Sequence, residues 1–462
     1  MRRDHKWRCG LPPVINKLNM AFALRFMLFL SSLLLHLLLL SSLFDAKQYS
    51  FRPKALVLPV SKDASTLQYL TSIKQRTPLV SVNVVIDLGG QSLWVDCQKV
   101  YHSSSYRPAR CHSSQCSLAK SSGCSDCHYA RRPGCNNNTC GVIIDNTVAI
   151  YVTDGMIGDD VVSIQSTDGS NPGRIVTVSH FLFNCGRTFF LEGLARGAKG
   201  MAGLGRTGVS LPSQFAAAFS LPKKFAICLS SSTLSNGVLF FGDGPYKFLP
   251  AVDVSTILIY TKLFINPFST ATAHPFGVAS TEYFIGVKSI KVNDKAVSLN
   301  TSLLSISSST GYGGTKISTV NPYTMMETSI YKAVTQAFIK AAASRNITRV
   351  GAVSPFGVCF SSKNVGSTRV GPAVPWIDLV LESESLYWRI FGANSMVEVS
   401  NDVVCLGFLD GGSNPMTSIV IGGYQVENNL LQFDLAKSKL GFSSSLLFRQ
   451  TTCANFNFTS TA

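Results

Sequence analysis

From residue 50 onward the chain alternates short apolar runs with turn residues, and helical spacing is scarce. Leu79–Leu88, Val238–Phe241, Glu282–Val292, Val403–Phe408 and Ser418–Ile421 are dominated by Val, Ile and Phe, with Gly-Gly, Asn-Asp and Asp-Gly pairs between such runs. β-Branched and aromatic residues bounded by turn formers predict strands. The main exception is Met325–Ala343, where Thr328-Ser-Ile-Tyr-Lys-Ala-Val-Thr-Gln-Ala-Phe338 places apolar groups at helical spacing and predicts a helix. The pattern describes an all-β protein with few helices, and 462 residues suffice for two lobes that each bury a core. Gly242–Val254, with the turn signals Gly244-Pro245 and Pro250, is the expected boundary. Residues 47–245 are then an N-terminal β lobe and 246–462 a C-terminal β lobe.

The first 46 residues follow a different pattern. Arg2, Arg3, Lys6, Arg8 and Lys17 precede an apolar run from Met20 to Phe44 that is broken by Arg25 and His36. A basic stretch followed by an apolar one reads as a secretory signal peptide over 1–46, cleaved near Ala46. The run is also long enough for an uncleaved membrane anchor, but cysteine usage favours export and cleavage, leaving no membrane association.

Of 13 cysteines, Cys9 falls in the signal segment. The other twelve are Cys97, Cys111, Cys116, Cys124, Cys127, Cys135, Cys140, Cys185, Cys228, Cys359, Cys405 and Cys453. An even number fits six disulfides of open connectivity. Cys124-Ser-Asp-Cys127 has zinc-ligand spacing, but disulfides are the expected use in an exported chain, so no metal and no cofactor is predicted. Sequons at Asn137, Asn300, Asn346 and Asn457 agree with the secretory route.

Charge narrows the partners. Without residues 1–46, 35 basic residues face 23 acidic ones, a net of +12. That balance suits acidic wall polysaccharide or the acidic surface of another protein. Nucleic acid is excluded, because no dense basic run occurs and the chain is exported.

Two segments vary one theme. Val84-Val-Ile-Asp-Leu-Gly-Gly-Gln-Ser-Leu-Trp94 runs a buried strand into an acidic side chain and a glycine turn, and Thr315-Lys-Ile-Ser-Thr-Val-Asn-Pro322 stands at the equivalent point of the second half. With Tyr69–Pro78, Ile419–Asp434 and Leu440-Gly-Phe442, these segments resemble the two-lobed, pepsin-like aspartic-protease superfamily. Phe51–Val60, Gly203-Leu-Gly-Arg-Thr207, Leu211-Pro-Ser-Gln-Phe215, Lys224–Ser230 and Gly314–Tyr323 are similar to one plant group in particular. That group contains extracellular dermal glycoprotein, basic 7S globulin and the inhibitors of xylanase and xyloglucan endoglucanase. The closing Cys453-Ala-Asn-Phe-Asn-Phe458 is especially similar to extracellular dermal glycoprotein.

The resemblance implies a vestigial catalytic pair. Peptide hydrolysis on this fold needs two carboxylates that share one proton, so that one acts as base on water and the other as acid. Asp87 stands at the first position, but Ser318 stands at the second, and a serine hydroxyl cannot replace an ionisable carboxyl. Leu88 and Gly90 also depart from the Thr and Ser that steady a working pair. Loss of one acid–base group typically costs about 10²–10⁴-fold in rate, which implies an inactive homologue. Asp87 then reads as a turn residue that satisfies nearby amides. Tyr151 is followed by Val152 rather than the Gly of a protease flap, so either Tyr151 still covers the cleft or the flap has changed role.

The resemblance further implies inhibition of a microbial cell-wall glycoside hydrolase by loops that enter its cleft. Such clefts hold two carboxylates, which a guanidinium pairs with bidentately. Arg369, in Gly366-Ser-Thr-Arg-Val-Gly-Pro372, and Arg449, in Leu446-Leu-Phe-Arg-Gln450, are the candidate contacts. Gln450 stands where the dermal-glycoprotein pattern has a second arginine. The alternative is a storage or peptide-binding glycoprotein without inhibitory activity.

Overall fold

In a computed structural model, which describes residues 16–43, 51–99, 101–121, 123–271 and 278–459, the apolar runs form short strands. Val80–Asp87 and Gly237–Gly242 lie within a residue or so of the pattern's limits. Glu282–Val292 instead splits into Tyr283–Ile285 and Ser289–Val292 around Gly286, and Val403–Phe408 breaks at Gly407. The predicted helix begins later, at Thr328, and runs to Ala343. Glu327 explains the start: its carboxylate accepts from the Ser329 and Ile330 amides at 2.8 and 3.2 Å and caps the helix. Met325 belongs instead to a strand, Thr324–Met326.

The chain divides into two units, residues 1–52 and 53–462. In the first, Asn16–Leu43 is one helix, and its described apolar side chains, such as Phe22, Phe26 and Leu34, are exposed. The expected cleavage point, Ala46, lies outside the described residues.

The second unit is organised by an antiparallel sheet of six strands. Its order is Ala55–Lys62, Gly237–Gly242, Lys224–Cys228, Leu430–Asp434, Lys439–Phe442 and Ile259–Phe264. Three strands come from each half of the chain. They meet where Lys224–Cys228 pairs with Leu430–Asp434, from Lys224 opposite Asp434 to Cys228 opposite Leu430. Phe225 and Phe433 stack across this join at 4.7 Å, and the Tyr283 ring packs on Phe433 at 4.6 Å. All three rings are fully buried, and burying each contributes roughly 1.5–3 kcal/mol. The last turn of the chain folds back here through the disulfide Cys228–Cys453.

Each half also carries the same three-strand unit. In the first, Gly200–Gly203 lies parallel to Val80–Asp87 and antiparallel to Leu93–Asp96. In the second, Ile419–Ile421 lies parallel to Thr315–Ile317 and antiparallel to Thr324–Met326. The loops leaving Val80–Asp87 and Thr315–Ile317 are therefore topological equivalents. They carry Asp87 and Ser318.

The twelve cysteines among the described residues are all paired: Cys97–Cys185, Cys111–Cys124, Cys116–Cys140, Cys127–Cys135, Cys228–Cys453 and Cys359–Cys405. The two sulfurs of the Cys124/Cys127 motif enter different disulfides.

Candidate functional site

Asp87 ends its strand fully enclosed. Its Oδ1 accepts the Gly89 amide at 2.9 Å, as a carboxylate before Gly-Gly should. A larger residue at Gly89 would have to displace Glu282, since a Cβ there would lie 2.6 Å from Cγ of Glu282. The other carboxylate oxygen, Oδ2, accepts from the Thr147 hydroxyl at 2.7 Å. Burial pushes the Asp87 pKa up to about 6, against the hydrogen bonds from Thr147, Gly89 and Gly90, and the Glu282 charge adds to the rise.

Ser318 turns towards its own loop. Its hydroxyl donates to Asn321 Oδ1 at 2.8 Å and accepts the Val320 and Asn321 amides, both at 3.2 Å. Among the described residues, no hydrogen bond joins it to Asp87. The tie between the two loops is made by its neighbour. The Thr319 hydroxyl accepts the Leu88 amide at 3.0 Å and donates to the Ile86 carbonyl at 2.8 Å. Leu88 has no hydroxyl to return the bond, so the two loops are joined from one side only.

Thr147 belongs to the tip of a hairpin formed by Thr139–Asn146 and Tyr151–Thr167, in which Asn146 pairs with Tyr151. Asn146 locks this tip. Its buried amide donates to the Phe190 and Glu192 carbonyls, both at 2.9 Å, and accepts the Val148 and Ala149 amides. Val148, from the tip, and Val320, from the Ser318 loop, pack against a cluster that contains Trp94 and Phe190. Tyr151 is about half exposed, and the hairpin residue that reaches Asp87 is Thr147. A cavity of about 20 Å³ lies beside Asp87, lined within the first half by Gln91, Trp94, Ile143 and Met201 among others, with room for one water.

Glu282 is the second carboxylate whose charge reaches Asp87. Burial opposes its ionisation, but the Lys316 ammonium at 2.5 Å and hydrogen bonds from Thr270 and Ser280 outweigh that and hold its pKa below the usual glutamate range. Among the described residues, its hydrogen bonds run to Thr270, Ser280 and Lys316 and none to Asp87. Sequence reasoning found no such group, because Glu282 lies 195 residues away and only the fold brings it near.

The two candidate contact loops lie in the C-terminal half and share a brace. Arg369 stands exposed at the tip of the hairpin Ser367–Thr368/Gly371–Pro372. Its neighbour Val370 is buried, and the Val370 carbonyl accepts the Ala393 amide at 2.8 Å. Arg449 is exposed at the end of the turn Leu446–Arg449, where the Phe448 ring packs on Phe391 at 4.8 Å. Segment 391–393 thus supports both loops. Gln450 takes a left-handed conformation with φ of 57° and is exposed. Among the described residues, neither Arg369 nor Arg449 has a hydrogen-bond or ion-pair acceptor for its guanidinium.

Comparison with known proteins places this geometry in a family. The model of the xylanase inhibitor N-terminal domain matches residues 69–243, and that of the xylanase inhibitor C-terminal domain matches 282–444. A probable aspartic proteinase GIP2 of Nicotiana benthamiana is 64% identical over 432 residues, covering 93% of this chain and 98% of its own. The chain belongs to the xylanase-inhibitor family of aspartic-protease-like proteins. Within it, gamma conglutin 1 of Prunus dulcis is 45% identical over 95% of this chain and 97% of its own. The crystal structure of edgp superimposes with a TM-score of 0.88 at 64% identity, covering 89% of this chain and 100% of that one. That of basic 7S globulin from soybean gives 0.77 at 37%, covering 88% and 99%.

The family's pepsin-like fold accounts for the repeated three-strand unit and the join between halves. Asn137, Asn300 and Asn346 are exposed and Asn457 is half-buried. Asn300 and Asn457 use Oδ1 to accept from the hydroxyl two residues on, Ser302 and Thr459, at 2.8 and 2.7 Å.

Proposed function

We propose that this protein is a secreted, catalytically inactive member of the family, which blocks a microbial xyloglucan endoglucanase or xylanase by inserting arginine-bearing loops into its cleft. The observation that carries the reading is the pair of exposed guanidinium groups, Arg369 and Arg449, both without acceptors among the described residues and both on loops supported from segment 391–393. A preset basic loop loses little freedom on binding, and a glycosidase cleft offers the matching carboxylates. Both matching family models are named for xylanase inhibition, which supports the partner class.

Inactivity rests on two features. Ser318 stands at the position equivalent to Asp87 and bonds its own loop, and the Asp87 carboxylate is already engaged by the Thr147 hydroxyl and the Gly89 amide. One relative's name says proteinase, so the point needs its own assay. The exported protein is expected to cleave no denatured casein from pH 3 to 7; cleavage that is abolished by Asp87→Asn would establish a working protease.

The second reading, a storage or peptide-binding glycoprotein, is favoured by Gln450 and by the match to basic 7S globulin, 38% identical over 411 residues. A panel of purified fungal xyloglucanases and xylanases separates the two. Inhibition of at least one enzyme supports the inhibitor, and its absence across the panel by a folded, disulfide-bonded protein supports the second reading.

A further inference from the structure

The fold separates Cys124 from its sequence neighbour Cys127 and joins it to Cys111. The His112 imidazole stands beside this disulfide, with its Nε2 3.5 Å from Cys124 Sγ. Two sulfurs and one ring nitrogen thus lie within 4.8 Å of one another. Among the described residues, no other group of three or more His, Cys, Asp or Glu side chains converges in this way. His112 takes a left-handed backbone, with φ of 61°, which costs a non-glycine residue about 1–3 kcal/mol.

Access distinguishes this disulfide from the other five. In each of those at least one cysteine is buried, whereas Cys111 is part-buried and Cys124 is exposed. A depression of about 280 Å³, lined by Cys111, His112, Ser117 and Ser121 among others, opens beside it. Exchange with an external thiol needs such access to sulfur, and a neighbouring imidazole favours the departing thiolate. The two backbones are held independently of the bond. The Cys111 amide donates to the Asn138 carbonyl at 2.8 Å. Cys124 pairs with Cys140 between the strands Gly123–Ser125 and Thr139–Asn146, and Cys140 has its own disulfide to Cys116. Reduction of Cys111–Cys124 therefore leaves both side chains near His112.

We propose that Cys111, His112 and Cys124 form a latent site for a thiophilic divalent cation of the zinc type, made available when a small thiol reduces the disulfide. The external thiolate attacks Cys111 Sγ, the S–S bond breaks, and Cys124 leaves as a thiolate beside the imidazole. A second thiol attacks the external sulfur of the mixed disulfide, which releases the oxidised small molecule and the Cys111 thiolate. Two thiols are oxidised, one protein disulfide is reduced, and the two thiol protons pass to the cysteine sulfurs. Zinc then displaces those protons and takes the two thiolates and His112 Nε2, leaving a fourth position to water. Thiolate and imidazole donors select such a cation, whereas calcium and magnesium require oxygen. The site shares no residue with the Arg369 and Arg449 loops and is independent of the function proposed for them.

Brief treatment of the folded, disulfide-bonded protein with reduced glutathione, removed afterwards by gel filtration under nitrogen, tests this. Alkylation and peptide mass spectrometry should find Cys111 and Cys124 labelled before any other pair. Cobalt(II), a spectroscopic stand-in for zinc, is added to an unalkylated sample. A thiolate-to-cobalt charge-transfer band should saturate at one equivalent and be bleached by zinc. The untreated protein, and the Cys111→Ser/Cys124→Ser variant given the same treatment, should show no band. His112→Ala should weaken cobalt binding at least about tenfold, since loss of even an outer partner of a metal costs that much. Earlier labelling of another pair, no band in the treated wild type, an equal band in the double serine variant, or unchanged affinity in His112→Ala would each overturn the assignment.

Discussion

At the scale of single residues, the Asp87 carboxylate is enclosed by its own turn and by the hairpin tip, which makes its ionisation a load on the fold. With a pKa near 6 in the folded state against 3.8 for the free side chain, the folded protein holds this proton between about pH 4 and 6 and the unfolded chain does not. Stability therefore falls as pH rises across that window, by up to about 3 kcal/mol from this group. Asp87→Asn should remove the loss: its unfolding temperature should exceed that of the wild type at pH 7 and match it at pH 4. The opposite order at pH 7 would show that the charged form is the stabilised one. The turn role of Asp87 was legible from the Gly-Gly that follows it. The bond from Thr147 was not, because residues 60 apart meet only through a hairpin tip whose position is set by Asn146 and Phe190. Thr319 escaped notice for a similar reason, since its hydroxyl acts on the backbone of the other half.

At the scale of elements, the alternation of apolar and turn residues located the strands because one-sided burial imposes a period of two. It misplaced what capping decides: Met325 fits the helical spacing, yet the Glu327 carboxylate fixes the start at Thr328. The candidate contact loops were chosen by Arg369 and Arg449, while their common support at segment 391–393 depends on tertiary packing and left no local signal. Gly371 gives a way to disturb that support without touching an arginine. Its φ is +90°, and a Cβ there would lie 2.4 Å from the Ala393 amide nitrogen, so Gly371→Ala must displace the hairpin from its brace. The expected result is an inhibition constant raised at least about tenfold, with Arg369 still present. An unchanged constant would mean that the hairpin's placement is immaterial.

At the scale of the whole molecule, the two halves are joined by strand pairing as well as by the chain. Lys224–Cys228 pairs with Leu430–Asp434, and Cys228–Cys453 links residues 225 apart in sequence. The connector near Leu249, Pro250 and Ala251 is exposed. A single cut there should leave one particle on non-reducing gel filtration, and two chains should separate only under reduction with denaturant. Separation in native buffer would contradict the shared sheet. On this scaffold the Asp87 carboxylate is held by the hairpin tip and its own turn, and the proposed function rests on the exposed basic loops. The measurement that tests this most directly is the inhibition constant against a susceptible fungal xyloglucanase or xylanase, for the wild type, Arg369→Ala, Arg449→Ala and Asp87→Asn. Loss of one paired guanidinium in a desolvated contact costs about 2 kcal/mol or more, so at least one arginine variant should weaken by about thirtyfold or more, with Asp87→Asn unchanged. Full inhibition by both arginine variants, or its loss in Asp87→Asn, would place the active surface elsewhere and contradict the account.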